Sequence, residues 1–265
     1  MHLLIQVHDL LRLPVKTMVL TSDEIDLYLQ RIGFPITRPE VDLAPTKETL
    51  FLLHRCHLTA IKFDNSAIFH GEPTTYTIDA VFDRMVTQRR GEICVGHALL
   101  FQAVVAYLGY EVDIYQARVV VERAYDDVPA THLVPVVTLP NNDRITNRKT
   151  VGERSDRLAT IGEQSDRSDR YLCDLGFGGA YRDLFIEPIQ LTANQDVPGH
   201  HTIVHHPTKG EYVVIDQRQR FSSEPKPLYH LIDRPCHKQD IALIAWFLTT
   251  SPDSRVKRSI IHSVI

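Results

Sequence analysis

Near residue 110 the hydrophobic pattern changes its period, and that change constrains the fold more than any other feature of the chain. Before it, apolar residues recur at helical spacing; after it, they come in short β-branched runs. Ile25, Tyr28, Leu29 and Ile32 form one helical stripe behind a cap-like Thr21-Ser22-Asp23-Glu24, and Gly33 with Pro35 ends it. Thr46, just after Pro45, heads a second helix through Leu50, Phe51 and Leu53. Residues 79–86 give a third helix, and 98–108, closed by Gly109, a fourth. Strand-like segments follow at 112–121, 132–139, 171–175, 202–206 and 212–216, with Pro140, Asn141-Asn142 and residues 207–210 as turns. A last helix spans about 239–249 and stops at Ser251-Pro252. The expected architecture is α+β: a helical bundle over 19–110, an antiparallel, barrel-like β-domain over 111–233, and a helical inter-domain segment over 234–265.

The bulk properties exclude several classes. With 43% hydrophobic and 23% charged residues, the 265-residue chain has the balance of a soluble globular protein. A net charge of −4 and the lack of a basic stripe argue against nucleic acid as a partner. No apolar run approaches the roughly 20 residues that span a bilayer. The first 20 residues lack a basic leader region, and His8, Asp9 and Arg12 interrupt their apolar run, so they predict a non-secretory extension, with Met18 as an alternative start. The scattered Cys56, Cys94, Cys173 and Cys236 suggest reduced thiols in a cytoplasmic setting.

One segment breaks the pattern. Residues 141–170 hold seven basic and six acidic residues, with Ser-Asp-Arg at 155–157, 165–167 and 168–170. This composition predicts a long charged surface insertion, with a functional lid as the sharper alternative. If His132 and Asp174 stand opposite each other on antiparallel strands, Pro140 faces Asp166 and the second strand begins earlier than its apolar content suggests. The pairs His200-His201 and His205-His206 could ligate a metal, but no Cys or carboxylate lies at ligand spacing, and strand ends around a hairpin explain them; no metal is expected.

The chemistry centres on Cys94, in the turn Arg90-Gly91-Glu92-Ile93-Cys94 before a strongly apolar helix. A thiol near a helix N-terminus is favoured as thiolate. His132 on one strand and Asp174 on the next supply a base and its orienting carboxylate, so Cys94, His132 and Asp174 form a nucleophilic triad in outline. Such a group takes an acyl group as a thioester and passes it to water or to an amine. From spacing alone, a packed structural thiol and a core histidine are the commoner alternatives.

The strings RGEIC, VGHALLFQAVVAYLGYEV, ARVV, THLVPVVTL and CDLGFGG together resemble the arylamine N-acetyltransferase family. Tyr28–Gly33, Ile61–Asn65 and Thr249–Ser254 are similar to three further family segments, and the resemblance covers roughly residues 24–256. It implies acyl-CoA-dependent transfer of an acetyl or other short acyl group to an arylamine or hydrazine by a ping-pong route, with acyl-CoA as co-substrate and no bound cofactor. Cys94 would carry the acyl group, His132 activate it and Asp174 orient His132; Phe63 and Phe177 would line the acceptor pocket. Thr131, Gly178 and Gly179 would lie near the CoA path, and Asp64 would pair with Arg90 beneath the turn. A monomer is expected. The alternatives are a catalytically impaired member or fragment that binds ligands, and a thiol hydrolase or transglutaminase-like enzyme.

The chain departs from the family pattern in places. Glu92 stands where the pattern has a second glycine, which predicts strain if the position needs positive φ and a carboxylate that opposes the thiolate. Ile93 stands for an aromatic, Lys62 for a proline, and Gly96-His97 for a Glu-x-Asn-like polar pair. The family continues into a third, lid domain, most or all of which is expected to be missing from a chain that ends at Ile265.

Overall fold

The computed structural model describes residues 19–35, 43–121, 123–139, 170–191, 195–197, 200–206, 208–218 and 224–261. The first 18 residues and most of the charged segment at 141–170 lie outside these. Helix α1 (Ser22–Ile32) starts at a capping box in which Thr21 and Glu24 exchange bonds, and it ends where Gly33 turns left-handed at φ 64°. Helix α2 (Lys47–Ala60) is capped by the Thr46 side chain. A short α3 (Ser66–Phe69) precedes α4 (Ile78–Phe82), which is capped by Thr77 and runs on into a π-turn at Asp83–Thr87. Helix α5 (Cys94–Tyr107) is buried along nearly its whole length. It begins four residues before the stretch predicted from apolarity, because burial overrides the weak local signal of Gly96 and His97.

The strands β1 (Glu111–Val119), β2 (Ala130–Thr138), β3 (Arg170–Leu172), β4 (Ile189–Gln190), β5 (Gln195–Val197), β6 (His201–His206), β7 (Glu211–Asp216) and β8 (Lys226–Pro235) follow. They form one antiparallel sheet in the order β4-β3-β2-β1-β8-β7-β6-β5. The strand order is open, with β4 and β5 at its two edges, as an α+β reading with an antiparallel sheet expects. The ten-residue β8 was not foreseen: prolines at 227 and 235 bracket its apolar centre, and it nevertheless pairs with both β1 and β7. Helices α6 (Lys238–Thr250) and α7 (Arg255–Arg258) close the described chain.

The register of β2 on β3 sets Val136 opposite Leu172, two residues away from the pairing that would place His132 opposite Asp174. His132 pairs instead with Ala117 of β1, and Asp174 lies just past the end of β3. Side chains alternate with a period of two, so a two-residue offset leaves both groups on the same face.

Two apolar clusters meet at the sheet. Leu133 and Val137 of β2, with Tyr171 and Cys173, pack into the helical core around α5. Val134, Val136 and Leu172 point the other way, into a core shared with Tyr212, Tyr229 and Leu231. The central strands are therefore buried on both faces.

Candidate active site

The site lies where the two cores meet. Cys94 is the first residue of α5, and the first helical bond there runs from the His97 amide to the Ile93 carbonyl, 3.2 Å. The preceding turn is held from both sides: the Glu92 amide donates to the Lys62 carbonyl (3.2 Å) and the Asp64 amide to the Glu92 carbonyl (3.1 Å). Phe63 thus runs parallel to Glu92. The turn needs Gly91, where a Cβ would come within 2.5 Å of the Lys62 oxygen and 2.6 Å of Asp64 Cβ.

Cys94, His132 and Asp174 come together and are 7%, 6% and 1% exposed, so the thiol retains a little access while the carboxylate has almost none. His132 Nε2 is 2.8 Å from Asp174 Oδ2. The Cys94 sulfur lies 4.0 Å from the carbonyl of Thr131, the residue before His132, and the thiol is among the groups that act on the ring. Burial alone would lower the His132 pKa. The charge and hydrogen bond of Asp174, together with the Cys94 side chain, outweigh it and lift the value to about 10. These contacts favour the charged form of the ring. Asp174 is fixed in turn by the Gly176 amide, which donates to Oδ1 at 3.2 Å.

The loop after Asp174 packs directly on the nucleophile. A side chain at Gly176 would overlap Cys94 Cα, and one at Gly178 would press on the Phe63 ring at 2.9 Å. Phe177 meets the His132 ring edge-on, with centroids 5.5 Å apart. Gly179 is left-handed at φ 82° and starts a 3-10 segment, Gly179–Phe185. Phe177 and Thr131 therefore border the Cys94–His132 pair, while Phe63 lies against Gly178.

Two expectations fail. Arg90 reaches Glu72 at 3.3 Å rather than Asp64, whose Oδ1 accepts instead from the Ser66 amide at 2.8 Å. Both Arg90 and Glu72 are exposed, and exposed charges pair with whichever partner the loop brings near. Glu92, in turn, carries no positive φ; the described non-glycine residue that does is Arg89, at φ 57°. The Arg89 carbonyl is held by Arg31 Nη2 at 3.3 Å, so the strain falls two residues before Gly91.

Other residues around the site were given no role in it from the sequence. Tyr229 on β8 is fully buried, tilted against His132 at 5.5 Å and beside the Asp174 carboxylate; burial first, then that charge, raises its pKa well above the ordinary value. Asn65 holds the C-terminal residues: its Nδ2 donates to the Val256 (2.6 Å) and Ser259 (2.8 Å) carbonyls, and its Oδ1 accepts from the Ile261 amide (2.9 Å). Under the nucleophile helix Tyr28, His57 and His97 form a relay with 2.8 Å steps, ending on the Lys62 carbonyl at 3.3 Å. The buried Arg182 donates from Nη2 to the Leu58 carbonyl at 2.8 Å and so joins the loop after Asp174 to the end of α2. His201, His205 and His206 lie on β6, and no group of three or more potential metal ligands occurs among the described residues. No described helix is long and apolar enough to cross a membrane.

Comparison with known proteins places the fold. A family model described as N-acetyltransferase matches residues 46–147 and 157–265. The chain is 29% identical over 242 residues to the arylamine N-acetyltransferase of Mycolicibacterium smegmatis, covering 90% of this chain and 75% of that protein. Among solved structures, the Mycobacterium abscessus arylamine N-acetyltransferase shares the fold with a TM-score of 0.70 at 24% identity, over 96% of this chain and 80% of that one. The Mycobacterium marinum arylamine N-acetyltransferase in complex with CoA aligns with a TM-score of 0.66 at 25% identity, over 89% and 75%.

Proposed function

The chain belongs to the arylamine N-acetyltransferase family, and from that premise we propose that it transfers an acetyl group from acetyl-CoA to an arylamine through a thioester on Cys94, by a ping-pong route. The observation that carries this reading is the His132–Asp174 contact at 2.8 Å, with the buried Cys94 thiol beside Thr131 at the start of its helix. In this reading Cys94 is a thiolate paired with an imidazolium. The sulfur attacks the thioester carbonyl, the tetrahedral intermediate expels the CoA thiolate, and His132 returns its proton to that leaving group. Acylation removes the charge on Cys94, and with it one of the interactions that keep His132 protonated. The ring is then free to take a proton from the incoming amine as its nitrogen attacks the acyl-enzyme, and Cys94 leaves as thiolate.

Phe63 and Phe177 are the faces against which a flat aromatic amine, or a hydrazine, would stack. Thr131 and the bare backbone at Gly178 and Gly179 border the path proposed for the CoA thiol end, where a ligand can approach closely. Acyl-CoA is a co-substrate here. The arrangement equally suits thioester hydrolysis or a silent family member, but the comparisons favour neither. The test is steady-state kinetics with acetyl-CoA and a set of arylamines. Parallel double-reciprocal lines and amine-dependent CoA release support the proposal; CoA release indifferent to the amine would point to a hydrolase, and none above a Cys94→Ala control would rule out transfer.

A further inference from the structure

Glu92 and the missing side chain of Gly96 occupy the same ground. Gly96 lies in the first turn of α5, four residues after Glu92, and a Cβ there would overlap Glu92 Cγ and come within 3.0 Å of its carboxyl carbon. Helical side chains lean toward the N-terminus, so a side chain at position 96 would fall back over residues 92 and 93. Glu92, itself 4% exposed, fills that space from the other end.

The carboxylate is well held there. Arg84 meets Oε2 at 2.8 Å through Nε and at 2.7 Å through Nη2, the Tyr76 hydroxyl donates to Oε1 at 3.2 Å, and the Ile93 amide to Oε1 at 2.9 Å. Ile93 is the N-cap of α5 and provides no side-chain cap of its own. Arg84 is fixed as well: its Nη1 donates to the Thr75 carbonyl at 2.8 Å, and its own carbonyl accepts from the Arg90 amide at 2.9 Å, at the base of the nucleophile turn. The negative charge expected to oppose the thiolate is thus matched by a guanidinium and directed at the backbone that presents Cys94.

We infer that Glu92 and Gly96 are a matched pair: Glu92 is a positioning residue for the Cys94 turn, and Gly96 must stay bare to admit it. The inference deepens the proposed reaction and rests on Cys94 being the nucleophile. It makes a transposition informative. With glycine at 92, a glutamate at 96 leans back toward Arg84 and restores the same contact from the opposite side.

The experiment compares wild type with Glu92→Gly, Gly96→Glu, the double variant Glu92→Gly/Gly96→Glu, and Glu92→Gly/Gly96→Ala, which has room but no carboxylate. Alkylation of Cys94 by iodoacetamide is followed by peptide mapping across pH, and unfolding midpoints are taken on the same proteins. Each single variant should lose about tenfold or more in Cys94 alkylation near pH 6 and shift its pH profile. The transposed double variant should return to within about threefold of wild type, while the carboxylate-free double should not. Single variants with the wild-type pH profile, or a transposed variant no better than the worse single, would overturn the inference. If wild-type Cys94 alkylates no faster than Cys56 and Cys236, the nucleophile reading falls and the positioning role with it; failure of the transposition alone leaves that reading standing.

Discussion

Asp174 sets the charge of the site. It is almost fully buried, and its carboxylate holds the His132 ring at 2.8 Å while one backbone amide holds the carboxylate. In Asp174→Asn only the Cys94 side chain is left to oppose the effect of burial on His132, so the imidazole pKa should fall from about 10, and the thiolate should lose its cationic partner. Acyl-enzyme formation should then drop by roughly 10³–10⁴-fold, with the alkylation profile of Cys94 moved to higher pH. Stopped-flow acylation and a pH series check both; an unchanged profile would count against the pairing. Gly176→Ala tests the close approach of backbone to nucleophile. Its new Cβ overlaps Cys94 Cα, an atom that cannot swing aside, so denaturant unfolding should show a loss of about 1–3 kcal/mol together with impaired acylation. At this scale the sequence was informative where a residue type is demanded by chemistry or space, as at Cys94, His132, Asp174 and the glycines. It was silent on Tyr229, because a tyrosine among apolar residues carries no local mark of what its hydroxyl will meet. It misled at Arg90, because a surface charge does not encode its partner.

Helices α1, α2 and α5 meet around buried histidines. Tyr28 of α1 bonds His57 of α2, and His57 bonds His97 of α5. Burial holds His57 well below its ordinary pKa and takes His54 and His97 to about 3, with Arg182 nearby adding to the depression and Asp174 opposing it at His54. The unfolded chain takes up these protons near pH 6.5 and the folded chain does not, so stability falls as pH drops from about 6.5 toward 3. His132 works in the other direction: its stabilisation is complete below about pH 6.5 and is lost as pH rises toward 10. Melting temperature against pH should therefore peak near neutrality and fall steeply on the acid side, and a flat curve from pH 7 to 5 would contradict the buried relay. The helices themselves were legible through caps and stripes, such as Thr21 with Gly33 and Thr46. Strand β8 was not, since its prolines sit at the ends where a sequence reading stops. The β2–β3 register was also hidden, because no residue type in β3 distinguishes one even offset from another.

Across the whole molecule, the change of hydrophobic period near residue 110 marks where helices give way to strands, and the central strands face two cores. Cys94 belongs to the helical core and Phe177 to the sheet core, while His132 and Asp174 bridge them from the sheet. The order of Cys, His and Asp along the chain follows the order in which those layers are built, which is why the site could be outlined before its geometry was known. What the linear pattern could not carry was the set of ties across that boundary, from Arg182 to the end of α2 and from Asn65 to residues 256–261, since each depends on backbone groups far away in sequence. The central claim is that this seam holds an acylatable thiolate. Intact-protein mass after exposure to acetyl-CoA tests it most directly. The account predicts a gain of one acetyl group, mapped to Cys94, discharged by an arylamine and absent in Cys94→Ser. A folded protein that gains no acetyl group, or gains it equally in Cys94→Ser, would contradict it.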